Sequence, residues 1–288
     1  MSANESKRRS EHKPPDAAAF QYKPLEEGID CTRFLRIHPA KNDNDHLICC
    51  TLDHIAFGEK PSYEALSYRW GDEALAQTIV LNGHHFLVRK NLHDALQYLR
   101  NRGNIGLLWI DAICIDQANV QERNRQVAIM RHIYFRAHTV VVWLGSTYSQ
   151  YQKEISPLEA RFAPEDSSVE ETLTFATGPS EPDDAHTASL KIERKMVLKL
   201  AKDEYWNRVW IIQEIGHARQ RRVCFGKMEL SWSDFIKMMT HHSVTTEGPL
   251  RLNQQAEQKY QGVGIPITGM VRTVGDKEVK IYIYLTST

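Results

Sequence analysis

Apolar positions along the chain fall into short alternating runs and short continuous ones, separated by turn residues. Phe34, Leu35 and Ile37, then Leu47 to Leu52, flank the polar turn Lys41 to Asp45 and predict early strands. Tyr63 to Trp70 predicts a strand stopped by Gly71-Asp72. Ile79-Val80-Leu81, Asn82-Gly83 and Phe86-Leu87-Val88 predict a hairpin, because Asn-Gly tolerates the positive φ angles of a two-residue turn. Leu92, Ala95, Leu96 and Leu99 make one face of a helix that Asn91 is expected to cap and that runs to about Arg100.

Leu107 to Ile110 is fully apolar, as expected of a strand covered on both faces. Asp111 ends it and a loop runs to about Gln121. Helical spacing follows from Glu122 to Arg136, and Thr139 to Leu144 is a second buried strand. Strand, loop, helix, strand is a βαβ unit, which requires parallel pairing. The fold expected is α/β: a central, largely parallel sheet with helices on both faces and an N-terminal β-hairpin region.

Residues 1–19 read as a disordered tail, and 20–245 as one domain. Within it, 146–189 is poor in apolar residues and reads as an acidic surface excursion. Helical pattern returns over Leu190 to Leu200 and over Tyr205 to about Ala218. Val223-Cys224-Phe225 is a short strand, and Ser231 is expected to cap a helix through Met239. Residues 246–288 form a tail of unassigned role, with strand-like alternation from Gly262.

Composition narrows the function. The 288 residues carry 36 Lys+Arg against 36 Asp+Glu, with no basic stripe interleaved with aromatics, which argues against a nucleic-acid partner. No run approaches the roughly 18 apolar residues of a membrane span, and the polar start Met1 to Pro15 does not read as a secretory signal. Five cysteines without a C-x-x-C pair suit a reduced, cytoplasmic compartment, and no histidine, thiol or carboxylate set has metal-ligand spacing. Dinucleotide, P-loop, zinc-protease and nucleophile-elbow signatures are absent.

Three blocks are denser in Trp, Tyr and paired polar residues than a plain core requires. The first is Ala65-Leu66-Ser67-Tyr68-Arg69-Trp70-Gly71-Asp72. The second runs from Leu108-Trp109-Ile110-Asp111-Ala112-Ile113-Cys114-Ile115-Asp116-Gln117 through Glu122-Arg123-Asn124-Arg125-Gln126-Val127 to Trp143-Leu144-Gly145. The third is Tyr205-Trp206-Asn207-Arg208-Val209-Trp210-Ile211-Ile212-Gln213-Glu214. In this order they closely resemble the fungal heterokaryon incompatibility (HET) domain family, over roughly residues 20–235. Arg69 departs from the small apolar residue expected at its position. Members of that family often continue into a long C-terminal region, so a short or truncated member is one expectation.

HET domains in turn resemble Toll/interleukin-receptor (TIR) domains. Ser67-Tyr68 corresponds to their first strand end, Asp111 and 112–121 to a strand ending in Asp with its long loop, and Trp210 with Glu214 to their W-x-x-x-E helix. The resemblance implies fungal nonself recognition and programmed cell death. It assigns Glu214 the catalytic role in cleaving NAD, with NAD or a related nucleotide as substrate and no separate cofactor. Self-association or another incompatibility protein is the implied partner. A non-enzymatic death-signalling module is the alternative.

The residue types agree with that chemistry. Cleavage of a nicotinamide–ribose bond passes through an oxocarbenium-like ribose, and one carboxylate beside it stabilises the charge. Trp206, Trp210 and Glu214 at helical spacing would share one face. Strand ends place Ser67, Tyr68, Arg69, Trp70 and Gly71 beside Asp111 and Asp116. Arg69, Arg123 or Arg125 would meet a diphosphate. The blander assignments stand beside these: Glu214 paired with a nearby Arg, Asp111 capping a turn, Asp116 and Gln117 pinning a loop, Arg123 and Arg125 solvated, and Trp109, Trp143 and Trp206 in the core.

Overall fold

The computed structural model describes residues 20–26, 30–42, 45–103, 106–151, 184–216, 218–242 and 248–252. For 184–188, 271–274 and 277–280 it describes the backbone alone. The expected tail 1–19 and most of the acidic excursion lie outside the described residues. Among those described, nine strands form one sheet: β1 (Cys31–Ile37), β2 (Cys49–Ala56), β3 (Tyr63–Tyr68), β4 (Ala76–Leu81), β5 (His84–Arg89), β6 (Leu107–Trp109), β7 (Thr139–Trp143), β8 (Arg221–Phe225) and β9 (Met228–Ser231). Their order is β5-β4-β2-β1-β6-β3-β7-β8-β9.

The fold is α/β, with a mixed sheet. The block β6-β3-β7-β8 is parallel throughout, and β2 also runs parallel to β4. The remaining pairs, β1 with β2, β1 with β6, β4 with β5 and β8 with β9, are antiparallel. The early strands and the Asn-Gly hairpin supply much of this antiparallel share. Asn82 and Gly83 take φ of 49° and 83°, the positive pair that the two-residue turn demands.

The helices are α1 (Lys90–Arg102), α2 (Asp111–Cys114), α3 (Val120–Arg136), α4 (Asp184–Ala201), α5 (Ile211–Ile215) and α6 (Trp232–His241). Side chains alternate across a strand, so Glu64 and Trp143 share one face of the sheet while Tyr63 and Trp109 share the other. α1 covers the first face: Tyr98 packs on Trp143 and Arg102 reaches Glu64. α3 covers the second: Tyr134 packs on Trp109, and the Tyr63 hydroxyl donates to the Ile133 carbonyl. Every residue of β6 and β7 is buried as a result. Trp109, Trp143 and Trp206 all belong to this core.

Several local expectations change. Asn91 is not a cap; it lies in the first turn of α1, where its amide donates to the Arg69 carbonyl and accepts from the Trp143 indole. α3 starts earlier than expected, capped by Asn119, whose side chain accepts from the Glu122 amide. The helix expected over Tyr205 to Ala218 is broken into a 3-10 turn, Glu204–Asn207, and the five-residue α5. The excursion expected over 146–189 has a 3-10 turn at Ser146–Tyr151, with Tyr148 buried, and α4 begins at Asp184. Ser231 caps α6 as expected, its hydroxyl accepting from the Asp234 amide. In the C-terminal tail, the backbones of β10 (Val271–Val274) and β11 (Lys277–Lys280) pair antiparallel.

A buried ion pair ties the start of the domain to α3. Arg33 forks both carboxylate oxygens of Glu122 at 2.6 and 2.9 Å, donates to the carbonyls of Cys114 and Lys23, and lies over the Tyr22 ring. Glu122 also accepts from the Asp116 amide. Gln126, one turn along α3, is buried between the Thr32 hydroxyl and the Cys31 carbonyl.

Candidate functional site

In open α/β sheets ligands bind beyond the carboxyl ends of the parallel strands. β3 and β6 are neighbours that end here at Tyr68 and Trp109, β3 running on past the Ala65–Trp109 pair. Ser67 is the last residue but one of β3 and is fully buried. Its hydroxyl donates to Glu214 Oε2 and so accepts from the Tyr205 hydroxyl, having a single proton to give. Glu214 thus docks onto the end of β3 from α5.

Arg208 completes this group. Its guanidinium forks Glu214, with Nη1 to Oε2 at 2.8 Å and Nη2 to Oε1 at 2.7 Å, and Nη1 lies 3.3 Å from Ser67 Oγ. The Tyr205 ring lies beneath the same guanidinium. The Glu214 side chain is 2% exposed and that of Arg208 17%. Arg208 belongs to the third block, and it is the arginine that takes up the plainer expectation of a Glu214 ion pair. Only the break at residues 208–210 turns it back onto Glu214.

Asp111 follows β6. Its Oδ2 accepts from the Trp70 indole at 2.8 Å and its Oδ1 from the Ala112 amide at 2.7 Å. Burial, then the nearby Glu214 charge, raise its pKa to about 6, against the lowering effects of Trp70, Arg208 and the Ala112 amide. Asp111 therefore titrates closer to neutral pH than an ordinary carboxylate.

These residues line one cavity of about 350 Å³. Trp70, Asp111 and Gln117 come from the strand ends and the loop between, Arg123, Val127 and Met130 from α3, and Arg208, Trp210 and Glu214 from the third block. Trp210, 44% exposed, stands at its edge, and the Glu214 amide donates to the Trp210 carbonyl one turn back. The three blocks, far apart in the chain, therefore meet at a single hollow. A larger hollow of about 1010 Å³ between α1 and the β8–β9 turn holds Trp143 from these blocks and neither Asp111 nor Glu214.

Other expected site residues lie outside the cavity lining. Arg69 is exposed, pairs with Glu204 and does not line the cavity. Gly71 offers its carbonyl to Arg89, whose guanidinium stacks on Trp70. Asp116 pins its own loop, accepting from the amides of Ala118 and Asn119. Arg125 is on the exposed side of α3. Tyr68 is buried, and burial raises its phenol pKa well above the ordinary value. Trp206 leaves the line of Trp210 and Glu214 and packs among Tyr205, Trp232 and Phe235. Ser67 reaches the site through Glu214 rather than by lining the hollow.

Cys114 is buried under the loop, and burial pushes its thiol up to about 12, so it is not an activated nucleophile. Among the described residues no group of three or more His, Cys, Asp and Glu is placed to hold a metal ion, and no helix is long and apolar enough to cross a membrane.

The fold and this cavity define an α/β domain whose three sequence blocks build one ligand-sized hollow at the carboxyl edge of a parallel strand set. The chain belongs to the heterokaryon incompatibility (HET) protein family, whose model matches residues 63–214, more than half of its length. It is 40% identical over 126 residues to "Heterokaryon incompatibility protein 6, OR allele" of Neurospora crassa. That match covers 39% of this chain and 18% of the relative, so the chain spans under a fifth of the curated relative's length. No solved structure matches the chain.

Proposed function

We propose that this protein acts in fungal nonself recognition and programmed cell death, in the cytoplasm, and that its cavity hydrolyses NAD or a related nucleotide at the nicotinamide–ribose bond. The observation that carries this reading is the meeting of all three blocks at one hollow containing Asp111 and Glu214 beside Trp70 and Trp210. A volume of about 350 Å³ is at the small end of ligand pockets and suits the nicotinamide–ribose half of a dinucleotide.

In this reaction the bond between ribose C1′ and the pyridinium nitrogen breaks, and its electron pair leaves with neutral nicotinamide. A water oxygen then bonds to C1′ and releases its proton to solvent. Glu214 is assigned the carboxylate that stabilises the cationic ribose, and Asp111, ionised above a pH of about 6, adds negative charge in the same cavity. Trp210 forms the aromatic edge. No resident cofactor enters the proposal.

The test is incubation of the purified chain with NAD and chromatographic measurement of nicotinamide. Release is expected from wild type, with Glu214→Gln slower by at least about 100-fold, the scale of losing one electrostatic stabiliser. No release at high protein concentration overturns it.

A second reading is favoured by one observation: both oxygens of Glu214 are occupied by Arg208 and Ser67, as in a structural ion pair. On this reading the domain signals by self-association or by binding another incompatibility protein. A Glu214→Ala variant as toxic as wild type, together with absent nicotinamide release, is the result that selects it.

A further inference from the structure

We infer that the cavity contains an anion seat formed by Arg208 and Arg123, and that Arg208 is handed from Glu214 to the phosphate groups of an incoming ligand. The inference deepens the reading above and rests on it only in taking this cavity as the ligand site.

Two observations carry it. Arg208 is the outer member of its pair: its side chain is 17% exposed against 2% for Glu214, and both line the hollow. An entering ligand therefore meets the cation before the carboxylate. Arg123 is the second guanidinium on the lining, and its hydrogen bond runs to the Gln117 carbonyl at 3.3 Å, a long contact that leaves most of its five donors for a ligand. Guanidinium forks match phosphate oxygens in geometry, and two of them lining one cavity supply the donors a diphosphate needs. The sequence contains no Gly-rich phosphate cradle, so side chains must supply these contacts.

Glu214 competes for the same guanidinium. While Arg208 forks it, the carboxylate is neutralised and covered. A diphosphate that draws Arg208 outward leaves Glu214 held by Ser67 alone, with its charge directed to the cavity. The ligand's own phosphates thereby expose the carboxylate that its ribose requires.

The probe is inorganic pyrophosphate, titrated calorimetrically into the full chain, with folding of each variant checked by its melting curve. Wild type is expected to bind, Arg123→Gln to bind at least 10-fold more weakly, and Arg125→Gln, on the exposed side of α3, to bind as wild type does. Glu214→Gln is expected to bind about 10-fold more tightly, because its competition for Arg208 is gone. In an Arg208→Gln background that gain is expected to vanish. A gain that survives there reflects a through-space field and overturns the hand-over. Absence of binding to wild type, or equal weakening by Arg123→Gln and Arg125→Gln, overturns the seat. Pyrophosphate binding is read without turnover: the expected pattern in a protein that releases no nicotinamide keeps the anion seat and rejects the glycohydrolase, whereas release without the pattern does the reverse.

Discussion

The Trp70 indole donates to Asp111, 41 residues further along the chain, at 2.8 Å, and this bond joins the ends of the neighbouring strands β3 and β6. It orients a carboxylate that burial would otherwise leave poorly solvated. Asp111 thereby changes its charge state near pH 6.

Replacing Asp111 should separate that cost from its function. Its folded pKa, about 6, is above the ordinary 3.8, so its contribution to stability is intact below 3.8 and lost as pH rises through 6. Over that window the loss amounts to as much as about 3 kcal/mol. Asp111→Asn keeps an oxygen for Trp70 and does not titrate. We expect it to melt with wild type near pH 4 and above wild type near pH 7.5. A difference in Tm that does not change with pH would count against the burial argument.

The Arg208–Glu214 pair is predicted to cost more to halve than to remove. Arg208→Gln leaves a carboxylate buried without its cation, a situation that destabilises by about 3–5 kcal/mol. The double variant Arg208→Gln, Glu214→Gln removes both charges and is expected to regain most of that loss. Urea unfolding of the two single variants and the double variant reads the cycle directly, and additive losses would show the pair to be weakly coupled.

Arg33 should behave as a clamp on residues 20–26. It links the Lys23 carbonyl, the Tyr22 ring, Glu122 and the Cys114 carbonyl. Arg33→Met is expected to destabilise by about 3–5 kcal/mol through the unpaired Glu122. It should also speed proteolysis near Tyr22 more than anywhere else in the domain. Uniform cleavage would indicate global unfolding without release of this segment.

Gly226, at the β8–β9 turn, has φ of 61°, and a Cβ there would approach the Ser149 amide nitrogen at 2.6 Å. Its own amide donates to the Gly145 carbonyl at 2.8 Å. Backbone is on both sides, so no side chain can move aside. Gly226→Ala is expected to cost at least about 1–3 kcal/mol, read as a lower urea midpoint with an unchanged slope.

Much of this architecture was legible in the chain. The apolar runs at 107–109 and 139–143, joined by a loop and a helix, gave the parallel centre, because strands covered on both faces leave no polar alternation. The Asn-Gly turn and the Ser231 cap were visible since each depends on residues two or three apart. The helix from Tyr205 was misread for the same reason: its apolar spacing fits a helix, whereas Tyr205 and Trp206 are held instead by Ser67 and the Leu200 carbonyl. Asn91 has the composition of a cap and is recruited by Trp143, 52 residues away. In the site, Trp70, Asp111, Trp210 and Glu214 were named from the blocks and line the cavity. The pairing of Glu214 with a nearby Arg is met, but no local signature singles out Arg208, six residues away, as that partner. Arg69, Asp116 and Arg125 were named for their charge, which says nothing about the direction in which a side chain points.

The Ser67–Glu214 contact spans 147 residues, and Arg208 joins it from the same late segment. Long loops must close before such contacts can form, which places them among the last gains of folding. A chain still being synthesised therefore has strand ends and an indole ready, with no acid or guanidinium to complete them. The hollow is complete only after residue 214 has emerged and folded back, so a partly made copy lacks both Arg208 and Glu214 from its lining.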